Sequence, residues 1–244
     1  MLARNLSAPI ARLTSATAKI ARGSLDTKIQ SGGPSEFRRL SNSVSSMVDH
    51  LKSNIREINQ LAFVDTVTRL PNRADFLSRG DKALTQKRAI PGSMIAILFI
   101  DLDGFKTIND TYGHDMGDKV LAHFGARLNE TLRETDGLLN VPGSNKDESN
   151  SLGARLGGDE FTVLLTGLVC AEGADCVAER ILKIVANPTV IGGVRVNLGA
   201  SIGIAVSEAE VADFETLLMD ADAAMYDVKK TGKNNYKRVM SCED

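Results

Sequence analysis

An apolar run over residues 94–100 ends in Asp101-Leu102-Asp103, and a second acidic pair, Asp159-Glu160, follows Gly157-Gly158 between two further apolar stretches at 154–156 and 161–165. The first run reads as a buried strand, and the other two as a tight hairpin. If these strands are neighbours, three or four carboxylates converge. Such a cluster repels itself unless cations neutralise it, and hard oxygen donors select magnesium or manganese. Gly157 and Gly158 have no side chains, so a bulky anion can approach the backbone. These residue types suit two-metal phosphoryl or nucleotidyl transfer, in which the metals activate a hydroxyl and stabilise a leaving pyrophosphate. A lone Asp-x-Asp is more often a solvated acidic turn, so it is the two pairs together that carry the reading.

Further polar blocks surround these pairs. Gly104-Phe105-Lys106 and Asn109-Asp110 follow Asp103; Gly113-His114-Asp115 and Gly117-Asp118 come next. Upstream stands Asp65-Thr66-Val67-Thr68-Arg69-Leu70-Pro71-Asn72-Arg73. Near the end, Ala221-Asp222-Ala223-Ala224-Met225-Tyr226 precedes Lys229-Lys230 and Gly232-Lys233-Asn234. Together with Gly157-Gly158-Asp159-Glu160-Phe161, and in this order over residues 65–238, the blocks resemble the GGDEF family of diguanylate cyclases. Val67 is a small departure, since the family usually has Leu there.

The resemblance implies a nucleotidyl cyclase, palm-like α+β domain with a central, mainly antiparallel sheet flanked by helices. It implies condensation of two GTP into cyclic di-GMP across a homodimer, with two magnesium or manganese ions per half-site. Asp101, the carbonyl of Leu102, Asp159 and Glu160 match the family's metal ligands, and Asp159 and Glu160 its catalytic pair, Asp159 helping to deprotonate the 3′-hydroxyl. Asn109 and Asp118 match guanine-binding residues; a carboxylate accepts from guanine N1–H and N2–H₂, which adenine lacks. Phe105, Lys106, Gly157, Gly158, Lys229 and Lys233 match the rest of the substrate site, the lysines holding the triphosphate. His114 is read as a loop-shaping residue, and Met225 and Tyr226 as helix core. Two other readings stay open: a nucleotide-binding domain without turnover, and a dimerising relay with an idle cyclase domain.

These side chains need elements to hold them. Helices are expected over 115–132, 176–185 and 214–230, and one or two strands over 194–206, an α+β order. Residues 1–64 differ: they are rich in Ser, Ala, Arg and Asn and hold no strand-like run. Leu6, Ile10, Leu13, Thr17 and Ile20 alternate in steps of four and three, as a coiled-coil seam does. A connector with Gly23-Ser24-Leu25 and Ser31-Gly32-Gly33-Pro34 follows. A second seam runs through Leu40, Val44, Met47 and Leu51 to Ile55, Ile58 and Leu61. Either a stutter falls at Ile55, or Asn54 occupies an unbroken heptad. With Pro9, the Gly-x-Leu connector and Glu36, this part resembles a HAMP linker. HAMP units form dimeric four-helix bundles and usually follow a transmembrane helix. The expected divisions are 1–53 HAMP-like, 54–64 a connecting helix and 65–241 the GGDEF domain.

Composition narrows the partners. The net charge is −2 over 244 residues, which gives no electrostatic case for nucleic acid. No apolar run is long enough to span a bilayer, so the chain as given is expected to be cytoplasmic. Any membrane link would pass through a missing upstream region, placing a full-length protein at the inner membrane. Cys170, Cys176 and Cys242 fit neither zinc nor disulfide spacing and read as free thiols. Many family members carry an Arg-x-x-Asp product-inhibition site five residues before the glycine turn. Here that spacing holds Glu148 and Ser151, whereas Arg133-Glu134-Thr135-Asp136 matches further upstream, separated by a polar, turn-rich stretch with Pro142-Gly143. The stretch reads as an inserted loop, which predicts impaired feedback at the candidate site Arg133 and Asp136.

Overall fold

The computed structural model describes residues 2–22, 24, 26, 27, 29, 35–87, 94–136, 151–207 and 213–241. The elements are α1 (Leu2–Ala21), α2 (Ser35–Phe63), α3 (Arg73–Lys87), β1 (Met94–Asp103), α4 (Phe105–Tyr112), α5 (His114–Asp136) and β2 (Ser151–Gly157). They continue with β3 (Glu160–Leu168), α6 (Glu172–Ala186), β4 (Thr189–Ile191), β5 (Val194–Val196), β6 (Gly199–Ser207), α7 (Phe214–Lys230) and β7 (Asn235–Ser241). Two compact units result, Met1–Ala62 and Phe63–Asp244.

The first unit is helical. Phe37, Ser41 and Val48 of α2 and Ala16 of α1 are buried. Part of the expected seam is not: Ile10 is 53% exposed, Leu40 53%, Met47 69% and Leu51 43%, whereas Leu13, Thr17, Ile20 and Val44 are half-buried. Lys52 Nζ reaches Asp26 at 2.8 Å. The Leu6, Pro9, Ile55, Ile58 and Leu61 side chains lie outside the description, as do residues Gly23, Leu25 and 31–34, residues 137–150, where the insertion was expected, and Cys242. No helix among the described residues is long and apolar enough to cross a membrane.

The second unit is built on a five-stranded sheet of order β2-β3-β1-β6-β7, beside a separate β4-β5 hairpin. β1 is central and antiparallel to both β3 and β6, whereas β7 joins β6 in parallel. The position of β1 explains its unbroken apolar run, because both faces are covered. Ala96, Leu98, Ile100 and Leu102 enter a core with residues of α4, α5 and α6. Ile95, Ile97 and Phe99 enter the opposite core, with Phe76, Ala83 and Leu84 of α3 and Phe214, Leu217 and Met225 of α7. Side chains alternate along a strand, so Asp101 and Asp103 continue the α3/α7 face at its end.

Helix α7 starts at Asp213, whose carboxylate accepts from the Thr216 amide at 2.6 Å, and ends in Lys229 and Lys230, cations that complement its dipole. It lies close on β6 because Gly203 has no side chain: a Cβ there would stand 1.9 Å from the Ala221 carbonyl and 2.2 Å from the Met225 nitrogen.

The expected strand and hairpin are present but longer than the apolar runs, and the helix expected over 214–230 is α7. The stretch 194–206 divides into β5 and β6, which belong to different sheets. Helices α3 and α4 and strands β4 and β7 were not anticipated. Helix α4 is only eight residues long, too short to repeat its apolar stripe, and β7 breaks the alternation of exposed and half-buried residues at Arg238-Val239.

Gly203→Val should push α7 off the sheet and destabilise the domain by roughly 1–3 kcal/mol, the usual cost of overpacking. Urea unfolding of both proteins measures this, and an unchanged midpoint would contradict the close approach.

Candidate active site

The register of the sheet assembles the site. Asp101 at the end of β1 pairs with Glu160, the first residue of β3, and on its other side with Ser201 of β6. The Leu102 amide donates to the Asp159 carbonyl at 3.3 Å, closing the glycine turn against β1. Asp101 is buried, at 7% exposure. Its counter-charge comes from α7, where Lys229 Nζ stands 2.6 Å from Oδ2. Lys229 reaches it because α7 is held tightly on β6.

The electrostatics are those of crowded carboxylates. Burial raises the Asp101 pKa, repulsion from Asp159 and Asp103 adds to this, and Lys229 opposes it without cancelling it. Glu160 is likewise raised, by burial first and then by Asp101, Asp222 and Asp159. Asp222 of α7 is thus a further carboxylate near the site, one whose block but not whose role was legible in sequence.

The turn itself is open. Gly157 has φ 154° and Gly158 φ 53°, and a Cβ on either would meet nothing within 4 Å. The left-handed Gly158 needs glycine, and the free space is what an approaching anion requires. Arg155 braces the turn from below: its Nε and Nη2 donate to the Gly158 carbonyl at 3.0 and 2.8 Å. Its Nη1 donates to both Asp65 oxygens at 3.0 and 3.1 Å. Asp65 also accepts from the Thr68 amide and hydroxyl at 2.8 and 2.7 Å. Burial would raise Asp65, but these bonds outweigh it and leave its pKa lowered. Arg155 was missed in sequence because an arginine in a strand carries no chemical signature; its only mark is its place two residues before Gly157.

The other expected residues are spread around this centre. Phe105 opens α4, and its side chain is buried in the core. Lys106 is exposed on α4 and Asp118 on α5. Asn109 is half-buried, with its Oδ1 lacking a partner, and a Cβ on Gly117 would lie 1.9 Å from that oxygen. The two helices that carry Asn109 and Asp118 pack together. Lys233 is exposed in the turn after α7. Met225 is buried as expected, whereas Tyr226 is 56% exposed, with Lys230 Nζ 4.2 Å above its ring. Arg133 is exposed in the last turn of α5; the Asp136 side chain and the stretch after it lie outside the description. Cys170 and Cys176 are free and exposed.

Of the carboxylates near the glycine turn, Asp103 is held within the fold: its oxygens accept from the Ser201 hydroxyl at 3.0 and 3.1 Å and from the Asn234 amide at 2.9 Å. Among the described residues, no group of three or more His, Cys, Asp or Glu side chains is arranged as a metal cage. The donors nevertheless fit a hard divalent cation. Asp101 and Glu160 are opposed carboxylates with Asp159 beside them, and Lys229 is too little charge to offset them.

With this geometry in view, the comparisons with known proteins are decisive. Residues 62–235 match the family model for the diguanylate cyclase GGDEF domain. The chain belongs to the GGDEF family. Residues 1–53 match the HAMP domain. The GGDEF chain is 33% identical, over all of its length, to diguanylate cyclase TpbB of Pseudomonas aeruginosa, of which it covers 54%. It is 36% identical over 81% of its length to the bifunctional diguanylate cyclase/cyclic di-GMP phosphodiesterase MucR of the same species, covering 26% of that protein. The chain thus spans only about a quarter to a half of these relatives. A solved structure of the TpbB GGDEF domain superposes with a TM-score of 0.61 at 37% identity, covering 72% of this chain and 93% of that one. The coiled coil and GGDEF domain of DgcB from Caulobacter crescentus, solved with cyclic di-GMP, has the same fold, with a TM-score of 0.66 at 24% identity over 84% of this chain and all of that one.

The sign of the Asp101 shift gives a test. Its folded-state pKa lies above the ordinary 3.8, so the ionised group weakens the fold. That deficit is absent below the ordinary value and grows as pH rises through the folded one. Asp101→Asn should therefore melt higher than wild type at neutral pH without divalent cation, the two converging toward about pH 3. A lower melting point for Asp101→Asn at neutral pH would contradict the cost of the buried charge.

Proposed function

We propose that this protein is a diguanylate cyclase that condenses two GTP into cyclic di-GMP and two pyrophosphates. The observation that carries the reading is the opposition of Asp101 and Glu160 beside an open Gly157-Gly158 turn, with Lys229 of α7 brought to the same point. In each of two transfers a 3′-oxygen bonds to the α-phosphorus of the other GTP. The bond to pyrophosphate breaks, and the hydroxyl proton leaves.

The residues divide this work. The side-chain-free turn admits the triphosphate, and Lys106, Lys229 and Lys233 supply its cations. Asn109 and Asp118 bind the guanine edge, the Asn109 oxygen being unpaired within the chain. Asp159 accepts the hydroxyl proton, and Glu160 sits beside it. Asp101, the Leu102 carbonyl, Asp159 and Glu160 would hold magnesium or manganese, two ions per half-site, which supply hydroxyl activation and charge neutralisation at the leaving group.

The product has two equivalent phosphodiester links, so two domains must face each other. The exposed seam of Ile10, Leu40, Met47 and Leu51 suits a HAMP-type homodimer that raises the effective concentration of the second domain. On this reading the chain is the cytoplasmic part of a membrane receptor.

Pyrophosphate release from GTP with magnesium tests the activity directly. Asp159→Ala should retain the fold and lose roughly 10²-fold or more in rate, and ATP should turn over far more slowly than GTP. A folded Asp159→Ala protein with near-normal turnover, or equal use of ATP, would overturn the assignment. Deleting residues 1–60 should lower activity per chain at dilute protein, with partial recovery on concentration. Activity independent of dilution in the truncated form would contradict the dimer.

A further inference from the structure

Asp103 ends β1 two residues after Asp101, and its oxygens are held within the fold. In β1 it sits opposite Gly199 and diagonal to Ser201 of β6, the spacing at which cross-strand side chains on one face meet. The buried Ser201 hydroxyl donates to it at 3.0 and 3.1 Å. The second donor comes from far along the chain: the backbone amide of Asn234, at 2.9 Å, in the turn between α7 and β7.

That turn has an unusual backbone. Lys233 has φ 64° and Asn234 φ 46°. Consecutive left-handed non-glycine residues are unfavourable, the lysine more than the asparagine, and they persist only where the surroundings hold them. Two holds are visible besides Asp103. The Lys233 amide donates to the Val228 carbonyl at 3.1 Å, which ties the turn to the end of α7. Gly199 admits the Asn234 side chain: a Cβ there would stand 3.1 Å from its Oδ1 and 3.2 Å from its Cβ. The turn is thus seated on the ends of β1 and β6, beside the strand position of Asp101.

We propose that Asp103, with Ser201, is a positioning residue that clamps the α7–β7 turn and so fixes Lys233 for the triphosphate of GTP. Asp103 acts through Lys233 rather than as a metal ligand. The inference rests on the phosphate role of Lys233 in the proposed reaction, and it explains why a carboxylate two residues from Asp101 is spent on a backbone amide. An amide acceptor would serve nearly as well: in Asp103→Asn the carboxamide oxygen can accept from Asn234 while its nitrogen donates to the Ser201 oxygen, since a hydroxyl both donates and accepts.

The full chain with magnesium and GTP tests this, with hydrogen exchange at the Asn234 amide as a readout independent of turnover. In Asp103→Ala that amide should exchange about tenfold faster or more, as an opened local bond does. The KM for GTP should rise roughly five- to tenfold with kcat changed less than about threefold. Asp103→Asn should restore both. Ser201→Ala, which leaves the carboxylate in place, should give a smaller change in the same direction, guarding against a misfolded Asp103→Ala. Adding Asp103→Ala to Lys233→Ala should raise KM little further, because residues acting through one another are not additive. The magnesium midpoint should be unmoved. A protected Asn234 amide in Asp103→Ala overturns the clamp. Additive KM effects, or a shifted magnesium midpoint that Asp103→Asn fails to rescue, show that Asp103 acts on the metal instead. If Lys233→Ala alone leaves KM unchanged, the phosphate reading of Lys233 falls, and with it the purpose of the clamp, while exchange still decides whether the clamp exists.

Discussion

Burying Asp101 against Glu160 at the end of the central strand costs free energy, and much of the surrounding structure follows from how that cost is met. A carboxylate taken from water without full compensation is raised in pKa, and both members of this pair are. Among the described residues the compensation is the ammonium of Lys229, on a helix from the far end of the chain. For that ammonium to arrive, α7 must lie almost in contact with β6, which requires Gly203. The apolar face of β1 that α7 covers is what fastens it there. Core packing and site electrostatics are therefore one problem at this end of the sheet.

A second consequence is that the polar groups close to the pair are largely committed to support. Asp65 and Thr68 hold Arg155, and Arg155 holds the Gly158 carbonyl. Asp103 and Ser201 hold the turn after α7. Each brace joins segments distant in sequence, so the glycine turn and the lysine turn are fixed relative to β1 from opposite sides. Rigid support of this kind is what a reacting group needs, since small misplacements are expensive in rate. What the braces leave open is space at the Gly157-Gly158 turn, where a side chain would stand, and the Asn109 oxygen, which has no partner among the described residues.

The divide between what was legible in sequence and what was not follows the range of the interactions. Asp101 and the Gly157-Gly158-Asp159-Glu160 turn were legible because charge at the end of an apolar run is a local anomaly. The central strand was legible because burial on both faces leaves an unbroken apolar string. Arg155 and Ser201 were not, because their meaning lies in partners 90 and 98 residues away. The role of Asp103 was hidden for the same reason: sequence displays its neighbour Asp101 but not Asn234. Strand β7 and helix α4 were missed because a half-exposed parallel edge breaks its alternation and a two-turn helix is too short to repeat its stripe.

The acid excess also bears on what the site can accept. Asp101, Asp159, Glu160 and Asp222 act on one another, and among the described residues the charge that answers them is Lys229. In the proposed reaction a triphosphate adds further negative charge to the same place. Under the proposed reaction, a bare nucleotide would meet repulsion from every side but that of the lysines, whereas a nucleotide with divalent cations brings the charge that both it and the carboxylates lack. Nucleotide and cation should then bind with strong mutual dependence, each site being incomplete without the other. A fold that met its acid excess with more arginine or lysine would be more stable with nothing bound and would lose that dependence. Spending Asp103 on a backbone amide, and leaving Asp101 and Glu160 under-compensated, keeps the site dependent on what it binds.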